Sequence, residues 1–354
     1  MPRDGSEVWT DEELLECTTT VPEAPGVMTF VFRPPSGRVF RFKAGQFVTL
    51  DLPVPGGNVQ RTYTVSSSPA TNAYLSVTVK AQKDSVASRW MHENLRPGVR
   101  IKAYGPAGHF HLPDDPDGKF LMISAGSGVT PMMSMINHLW QRGEDPDISL
   151  ICCAHRPSDL IFRRRLEHMS SRVRGLDLHF VVSEPDPYEA WIGYRGRFNQ
   201  LMLGLMAPDY LERDVYCCGP EAFMDSVRDM LIALGYDMSR YHQESFSAPA
   251  ESRAELSEFD DVVPAEGVAA EIAFAKSGLT VPCTETDTIL SVAKAAGLNI
   301  PSGCTFGLCG TCKIRKVSGE AHMVHNGGIS DEDIEEGYIL ACCSRPIGKV
   351  EVAV

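Results

Sequence analysis

The chain has 354 residues, 43% of them apolar, which is enough to bury two or three domain cores. Its formal net charge of −13 argues against nucleic acids and anionic membranes as partners, because both attract basic patches, and no apolar run approaches the length of a membrane span. Eleven cysteines without an apolar signal segment in residues 1–10 favour a soluble protein of the reducing cytoplasm.

Residues 1–113 consist of short alternating stretches separated by turn residues, a cadence typical of an antiparallel β-barrel. One helical piece is predicted near residues 87–94. Within the barrel, Arg61, Tyr63 and Thr64 stand in the run RTYT. A guanidinium suits phosphate and an aromatic face suits a planar ring, so the run indicates a cofactor site. Taken alone it would be weak, because arginine beside tyrosine is ordinary on a strand.

The run SVAS opens the predicted helix of the barrel and contains Ser85 and Ser88. Backbone N–H groups at a helix N-terminus have no partner within the helix and attract anions. We therefore expect these two serines to flank a cofactor pyrophosphate. The later run GPAGHF reads as a turn rich in glycine and proline.

Residues 114–247 change to apolar strand-like runs that alternate with helical segments. Strands that are apolar on both faces favour a parallel sheet covered by helices on both sides, and nucleotides bind such sheets at the carboxyl ends of the strands. The predicted helices lie near residues 131–141, 159–169, 198–206 and 221–234.

The first of these strands leads into the run GSGVTP, with Gly126, Gly128, Thr130 and Pro131. Proline replaces the third glycine of the dinucleotide fingerprint, and the next strand ends in Arg156 without an acidic ribose ligand. Proline still suits a first helical turn, so the loop fits an anion site at a helix N-terminus. On its own it could equally be a plain turn.

Two further runs follow in the same region. CGPEAFM contains Cys218, Gly219 and Pro220, and HQESF contains Glu244 and Phe246. Each could be an ordinary core feature, a buried cysteine at a strand end or an aromatic plug. Residues 248–268 then form a linker rich in alanine, serine, proline and acidic residues, which we expect to be solvated and extended.

Residues 269–354 read as a hairpin, a helix near residues 289–296 and a cysteine-rich loop, PSGCTFGLCGTCK. Cys304, Cys309 and Cys312 are spaced by four residues and then two, the plant-type spacing for a 2Fe-2S cluster, and Cys342 is the expected fourth ligand. A structural zinc is the alternative, but such sites usually pair two short cysteine hairpins. Disulfides are disfavoured in a reducing compartment.

These runs, in this order, resemble the reductase components of multicomponent oxygenases, in which a ferredoxin-NADP-reductase-like module precedes a plant-type ferredoxin. The resemblance implies a flavin barrel, an NAD(P)-binding α/β domain and a β-grasp 2Fe-2S domain. It also implies that Arg61 neutralises a flavin phosphate, that Tyr63 packs on the flavin, and that Thr64, Cys218 and Glu244 surround the path of the hydride.

The function implied is transfer of electrons from NAD(P)H through flavin and the cluster to a separate terminal oxygenase. The similarity extends to reductases of Rieske-type oxygenases that demethylate glycine betaine and to the reductase of the hybrid-cluster protein. FAD is favoured over FMN, although Ser85 stands where relatives have glycine. NADH is favoured over NADPH, although Arg156 could meet the 2′-phosphate of NADPH. A diiron or haem hydroxylase as partner, or a non-catalytic electron-transfer subunit, stays open; such subunits place the fourth cysteine sooner.

Overall fold

The computed structural model describes residues 7–83, 85–114, 116, 118–143, 146–246, 267–302, 307, 310–325 and 328–354. Its chain divides into two compact units, one built mainly from the part before residue 247 and one mainly from the part after it. The predicted linker, 248–268, falls almost wholly outside the described residues, so the limits drawn at 113, 247 and 268 stay predictions. A helix able to span a membrane is not found in the part of the chain that the structure describes.

The first sheet is the predicted antiparallel barrel. Its strands run in the order β4-β3-β6-β1-β2-β5, and a bridge between Val65 and Val77 pairs the residues after β4 with β5. Helix α1 lies between β5 and β6 and packs on β3. The bounds are β1 Leu15–Ala24, β2 Val27–Arg33, β3 Phe47–Val54, β4 Gly57–Thr64, β5 Leu75–Lys80, α1 Val86–Asn94 and β6 Arg100–Ala107.

The second sheet is parallel, in the order β10-β9-β8-β7-β11-β12. Apolar clusters cover both faces, which explains why its central strands are almost continuously hydrophobic. The bounds are β7 Lys119–Ala125, α2 Val129–Gln141, β8 Asp147–Ala154, α3 Arg163–Ser170, β9 Leu176–Val182, β10 Tyr194–Arg195, α4 Gln200–Met206, β11 Asp214–Gly219, α5 Glu221–Ala233 and β12 Tyr241–Ser245.

One predicted helix of this sheet begins later than expected. The sequence suggested a start near Asp159, whereas residues Pro157–Asp159 form a short 3-10 turn and α3 begins at Arg163. Phe162, the residue before α3, has a φ of 60° and a fully buried side chain. Burial of the ring therefore accompanies a left-handed backbone, which interrupts the helix that periodicity alone would have extended.

The third sheet has five strands in the order β14-β13-β17-β15-β16, with β13 and β17 parallel and the other described pairs antiparallel. The last strand therefore lies in the centre of the sheet rather than at its edge. Helix α6 packs its apolar side into the same core. The bounds are β13 Ala269–Phe274, β14 Leu279–Thr284, α6 Ile289–Ala295, β15 Lys313–Met323, α7 Asp331–Glu335, β16 Tyr338–Leu340 and β17 Ser344–Val352.

Candidate functional site

The run RTYT forms the last half of β4. Alternation along the strand leaves Arg61 exposed, Tyr63 half-buried and Thr64 buried. Arg61 donates from Nη1 to the neighbouring Gln60 carbonyl at 2.8 Å, so its guanidinium lies along the strand surface. An exposed cation and a half-buried aromatic ring on one strand suit a ligand with a phosphate and a flat ring.

Helix α1 begins where the sequence indicated a phosphate site. Ser85 is its N-cap residue, and its hydroxyl accepts the Ser88 N–H at 3.3 Å. The Ser88 hydroxyl in turn accepts the Gln82 N–H at 3.0 Å. Both serine hydroxyls therefore bind backbone N–H groups of the protein itself. The N–H groups that stay available to an anion are those of the first residues of α1.

The loop between β7 and α2 carries the glycine run. Residues Gly126–Gly128 form a 3-10 turn, and Thr130 and Pro131 lie in the buried first turn of α2. A Cβ atom at Gly128 would lie 2.0 Å from the Cys218 carbonyl oxygen, so only glycine lets this turn approach β11 so closely. The Thr130 hydroxyl donates to the Ser127 carbonyl at 2.9 Å. The helix N-terminus is thus fixed at the carboxyl edge of the sheet.

Cys218 and Glu244 are register neighbours on the parallel strands β11 and β12. Both are buried, and the Glu244 Oε2 atom has no hydrogen-bond partner among the described residues. Burial raises the pKa of Glu244 to about 8, and it raises the pKa of the Cys218 thiol well above its ordinary value, with Glu244 adding to that shift. At neutral pH the pair is therefore a neutral thiol beside a protonated acid.

The remaining predicted residues lie at the same edge of the sheet. Gly219 is buried at the end of β11, whereas Pro220 and Phe246 are exposed just beyond β11 and β12. Arg156 follows β8, is exposed, and lies 3.6 Å through Nε from Glu184 Oε2. Gly128, Cys218, Gly219 and Glu244 are thus brought together by direct contact or register, and Arg156 lies two strands away from β11.

A buried hydroxyl network that the sequence reading missed joins the barrel to α2. The Ser134 hydroxyl donates to the Ser67 carbonyl at 2.7 Å, with both residues buried. Next to Ser67, the Ser66 hydroxyl lies 3.0 Å from the hydroxyl of Thr78, which is 2.7 Å from that of Thr29. Three consecutive serines one residue after RTYT, and one serine among the methionines of α2, were the available signals.

The cysteine loop is described only in part, and Cys304 and Cys309 lie outside the described residues. Cys312 and Cys342 are buried close together: the Cys342 N–H donates to Cys312 Sγ at 3.4 Å, and the Gly307 N–H donates to Cys342 Sγ at 3.3 Å. Amides directed at sulfur stabilise thiolates that bind iron. Gly307 has a φ of 76°, and a Cβ there would lie 2.8 Å from Cys343 Sγ.

The described residues fit the groups that the sequence predicts. The sulfurs of Cys312 and Cys342 accept backbone N–H groups, as cluster thiolates do. The turn at Gly126–Gly128 places a helix N-terminus at the carboxyl edge of a parallel sheet, where a dinucleotide pyrophosphate binds. At the same edge, Glu244 Oε2 is buried without a hydrogen-bond partner among the described residues, so a bound ligand could supply that hydrogen bond.

Three domain families match the chain in the predicted order. The oxidoreductase FAD-binding domain matches residues 17–112, the oxidoreductase NAD-binding domain residues 122–229, and the 2Fe-2S iron-sulfur cluster binding domain residues 272–346. The predicted flavin, nicotinamide and iron-sulfur cofactors are confirmed at the level of these domains.

Relatives and a solved structure match along nearly the full chain. The stachydrine N-demethylase reductase subunit Stc4 of Rhizobium meliloti (strain 1021) is 60% identical over 344 residues, 97% of each chain. The glycine betaine monooxygenase reductase subunit of Chromohalobacter salexigens is 42% identical, over 98% of this chain and 97% of its own. The structure of phthalate dioxygenase reductase, described as modular for electron transfer from pyridine nucleotides to 2Fe-2S, is 25% identical with a TM-score of 0.59, over 98% of this chain and 100% of its own.

Proposed function

Because this chain belongs to the family of oxygenase reductase subunits, we propose that it carries electrons from NADH to a separate Rieske-type oxygenase that demethylates a small quaternary ammonium compound. The observation that carries the proposal is the 60% identity, along 97% of both chains, with a subunit named for stachydrine N-demethylation. A second relative, at 42% identity, is named for glycine betaine.

A bound flavin and a 2Fe-2S cluster would supply the redox chemistry, which converts the hydride of a nicotinamide into single electrons. The chain supplies position and electrostatics. We assign Arg61 and Tyr63 to the flavin phosphate and ring, and the N-terminus of α1 at Ser85 and Ser88 to the pyrophosphate. The cluster ligands are Cys304, Cys309, Cys312 and Cys342.

The nucleotide binds at the carboxyl edge of the parallel sheet in this proposal. The turn Gly126–Gly128, with Thr130 and Pro131 behind it, holds the pyrophosphate at the N-terminus of α2. The exposed Pro220 and Phe246 border the edge at which the nicotinamide arrives, and the lack of a side chain at Gly219 lets the end of β11 lie close to Ala125 and Phe223.

Three buried groups line the proposed path of the hydride. Thr64 offers a hydroxyl at the end of β4, and Cys218 offers a neutral thiol. Glu244 carries a proton at neutral pH because burial raises its pKa to about 8, so it can donate a hydrogen bond through the carboxyl group whose Oε2 is partnerless. None of the three side chains is charged at neutral pH, and an uncharged, buried site suits hydride transfer because such a site excludes water.

The terminal enzyme recognises the final substrate in such a system, so the test must include that enzyme. We would combine this reductase with purified oxygenases of the Rieske, diiron and haem types, each with its own substrate. We expect NADH-dependent formaldehyde release with a Rieske-type enzyme acting on a quaternary ammonium compound. Faster turnover of a diiron or haem hydroxylase, or of the hybrid-cluster protein, would contradict the proposed partner.

A matched control separates the flavin from the cluster. Cys312→Ser removes one cluster ligand but no residue of the first unit, so NADH should still reduce ferricyanide through the flavin. Formaldehyde release with the oxygenase should be lost in the same variant. Full oxygenase turnover without the cluster would contradict the proposed electron path.

A further inference from the structure

A chain of hydrogen-bonded hydroxyl groups begins just beyond the end of β4, the strand that carries Thr64. Ser66 Oγ lies 3.0 Å from Thr78 Oγ1, and Thr78 Oγ1 lies 2.7 Å from Thr29 Oγ1. Thr29 Oγ1 donates to Glu23 Oε1 at 2.7 Å. The three hydroxyl-bearing residues are at most 6% exposed, whereas Glu23 is only half-buried. The chain therefore leads from a buried position to a carboxylate that solvent can reach.

These hydroxyls lie in the seam between the barrel and the parallel sheet. Each hydroxyl residue has a sequence neighbour that belongs to the barrel core, namely Val65, Val77 and Phe30. Alternation along a strand therefore turns the hydroxyls to the outer face of the barrel. On that face Val27 packs into the apolar core that α2 shares with the parallel sheet, and β5 lies against the turn Gly126–Gly128. The chain thus starts where the proposed flavin strand and nucleotide loop meet.

The direction of each hydrogen bond follows from the number of protons available. A hydroxyl has one proton to donate and two lone pairs that accept. Thr29 gives its proton to Glu23, so Thr78 must donate to Thr29. For the same reason Ser66 must donate to Thr78. The Ser66 oxygen then accepts from the Ser76 hydroxyl, 3.0 Å away, and keeps a second lone pair. Every bond of the chain therefore points towards Glu23, which is the arrangement that a proton relay requires.

The proposed reaction leaves one proton to be removed. A hydride carries two electrons and one proton, and only the electrons continue to the cluster. One proton must therefore leave the flavin site for each NADH consumed. Thr64, Cys218 and Glu244 at this site are buried, which keeps bulk water away. Thr64 and Ser66 flank the inward-pointing Val65, so they share a face about 7 Å apart, a gap that one bound water spans.

We propose that Ser66, Thr78, Thr29 and Glu23 relay this proton from the flavin site to solvent. The inference rests on the proposed function, because the proton arises only if a flavin is reduced at Thr64. Each hydroxyl accepts a proton from one neighbour and passes its own proton to the next, so one O–H bond forms as another breaks. Glu23 accepts the proton at the end of the chain and releases it to water. The two electrons take the separate path to the cluster.

Two variants interrupt the relay at different points. Thr78→Val removes the central hydroxyl at nearly the same shape, and Ser66 can then donate to the Ser76 carbonyl, 3.2 Å away, so no buried donor is left unpaired. Glu23→Gln removes the final acceptor. The matched controls lie in the same domain, outside the chain of hydroxyls. They are Thr18→Val, which removes a hydroxyl bound to a backbone carbonyl, and Glu12→Gln, which removes an exposed carboxylate.

The experiment separates the release of the proton from the uptake of hydride. We would reduce the flavin- and iron-loaded protein with one equivalent of NADH and mix it with ferricyanide in weakly buffered solution containing phenol red. The dye reports the released proton, and the flavin absorbance, followed in parallel runs, reports the departure of electrons. The rate of flavin reduction by NADH is measured separately, because that step needs no proton from the relay.

Both relay variants should slow proton release, and with it the departure of electrons from the flavin, at least about tenfold. Flavin reduction by NADH should be unchanged, and both controls should behave as the wild type. Added acetate should restore proton release in Glu23→Gln, because it can take the place of a carboxylate that is open to solvent. It should not restore release in Thr78→Val, because the missing hydroxyl is buried.

Proton release at the wild-type rate in both variants would overturn the inference, because the proton would then leave by another route, such as Glu244. Slow release in Glu23→Gln that acetate does not restore would also overturn it, because the defect would then be structural. Neither result would affect the proposed function. Failure of NADH to reduce the flavin of the wild type would contradict the proposed function and the inference with it.

Discussion

Glu244 lies beside Cys218 on the neighbouring parallel strand, and both are buried at the carboxyl edge of the sheet. A carboxylate in such a place has lost its water without gaining a partner for Oε2 among the described residues, which is why its pKa rises to about 8. The pair marks the centre of the proposed nicotinamide site, since an unpaired buried acid is rarely kept for stability alone.

This burial predicts a pH dependence of folding. The folded pKa of Glu244 lies above its unfolded value of 4.5, so its contribution to stability is fully present below pH 4.5 and is lost as pH rises towards 8. In that window it lowers the free energy of unfolding by up to about 1.4 kcal/mol per pH unit. Glu244→Gln should flatten the dependence between pH 5 and 8, measured by urea unfolding followed through flavin release. Parallel pH profiles for the variant and the wild type would contradict this burial.

A second prediction concerns the cluster loop. Gly307→Ala places a Cβ 2.8 Å from both Cys343 Sγ and the His325 Cα atom, at a φ of 76°, so the loop must shift and its N–H loses Cys342 Sγ. The purified variant should lose most of its iron and the visible absorption of the cluster. Gly297→Ala is the control: its φ is 78°, but open space surrounds it, so it should cost about 1 kcal/mol and keep the iron. An equal iron content in the two variants would contradict the close packing of Gly307 against Cys343 and His325.

A third prediction concerns the nucleotide loop. Gly128→Ala would bring a Cβ within 2.0 Å of the Cys218 carbonyl oxygen, so the turn before α2 must move away from β11. The affinity for NADH should fall at least about tenfold, measured by stopped-flow flavin reduction across NADH concentrations. Gly143→Ala, which follows the far end of α2 with a φ of 77° and open space, should leave NADH affinity unchanged. An unchanged affinity in Gly128→Ala would contradict the assignment of this loop.

A fourth prediction concerns the opposite end of the parallel sheet. Asp209 accepts hydrogen bonds from Arg213 Nε at 2.7 Å and from Lys119 Nζ at 3.0 Å. These bonds, above all the one from Arg213, hold the pKa of Asp209 down to about 2. Its stabilisation is therefore full above its unfolded pKa of 3.8 and lost as pH falls towards 2. Asp209→Asn should cost about 1 to 2 kcal/mol at pH 7, after allowance for solvent screening, and less near pH 3.

Its control is Glu212→Gln on the same turn. Glu212 pairs with Lys119 at 2.8 Å, but its side chain is 66% exposed. Exposed pairs contribute little, so urea unfolding at pH 7 should place this variant within about 0.5 kcal/mol of the wild type. Asp209 differs from Glu212 because it pairs with the buried Arg213, which also pairs with Asp147. An equal decrease in the free energy of unfolding in the two variants would contradict this difference.

The sequence predicts the elements that obey a clear period. Alternation predicted the barrel strands, and largely apolar runs predicted β7, β8, β9 and β11. The runs are most continuous in β7, β8 and β11, because central strands buried on both faces have no polar side. It missed β10, which has only two residues, and β12, whose run YHQES is polar because this strand lies at the edge of the sheet. A strand with one neighbour keeps polar residues that a central strand would not.

The candidate site divides in the same way. Cys312, Cys342 and the glycine loop could be singled out from the sequence because thiolate spacing restricts the cysteines and close backbone approach restricts Gly128 to glycine. The contact of Ser134 with Ser67 joins residues far apart in sequence, and no local pattern encodes it. The pairing of Arg156 with Glu184 depends on the register of β8 with β9, which only the folded sheet determines. Long-range pairings of this kind decide the electrostatics of the site.

The most direct test of the account is the anaerobic visible spectrum of the purified protein, recorded before and after addition of NADH. We expect flavin bands with a broad iron-sulfur shoulder, and NADH should bleach both, because the flavin and the cluster belong to one electron path. Flavin bands without iron, or colour that NADH leaves unchanged, would contradict the central claim that this chain is an NADH-dependent flavin and iron-sulfur reductase.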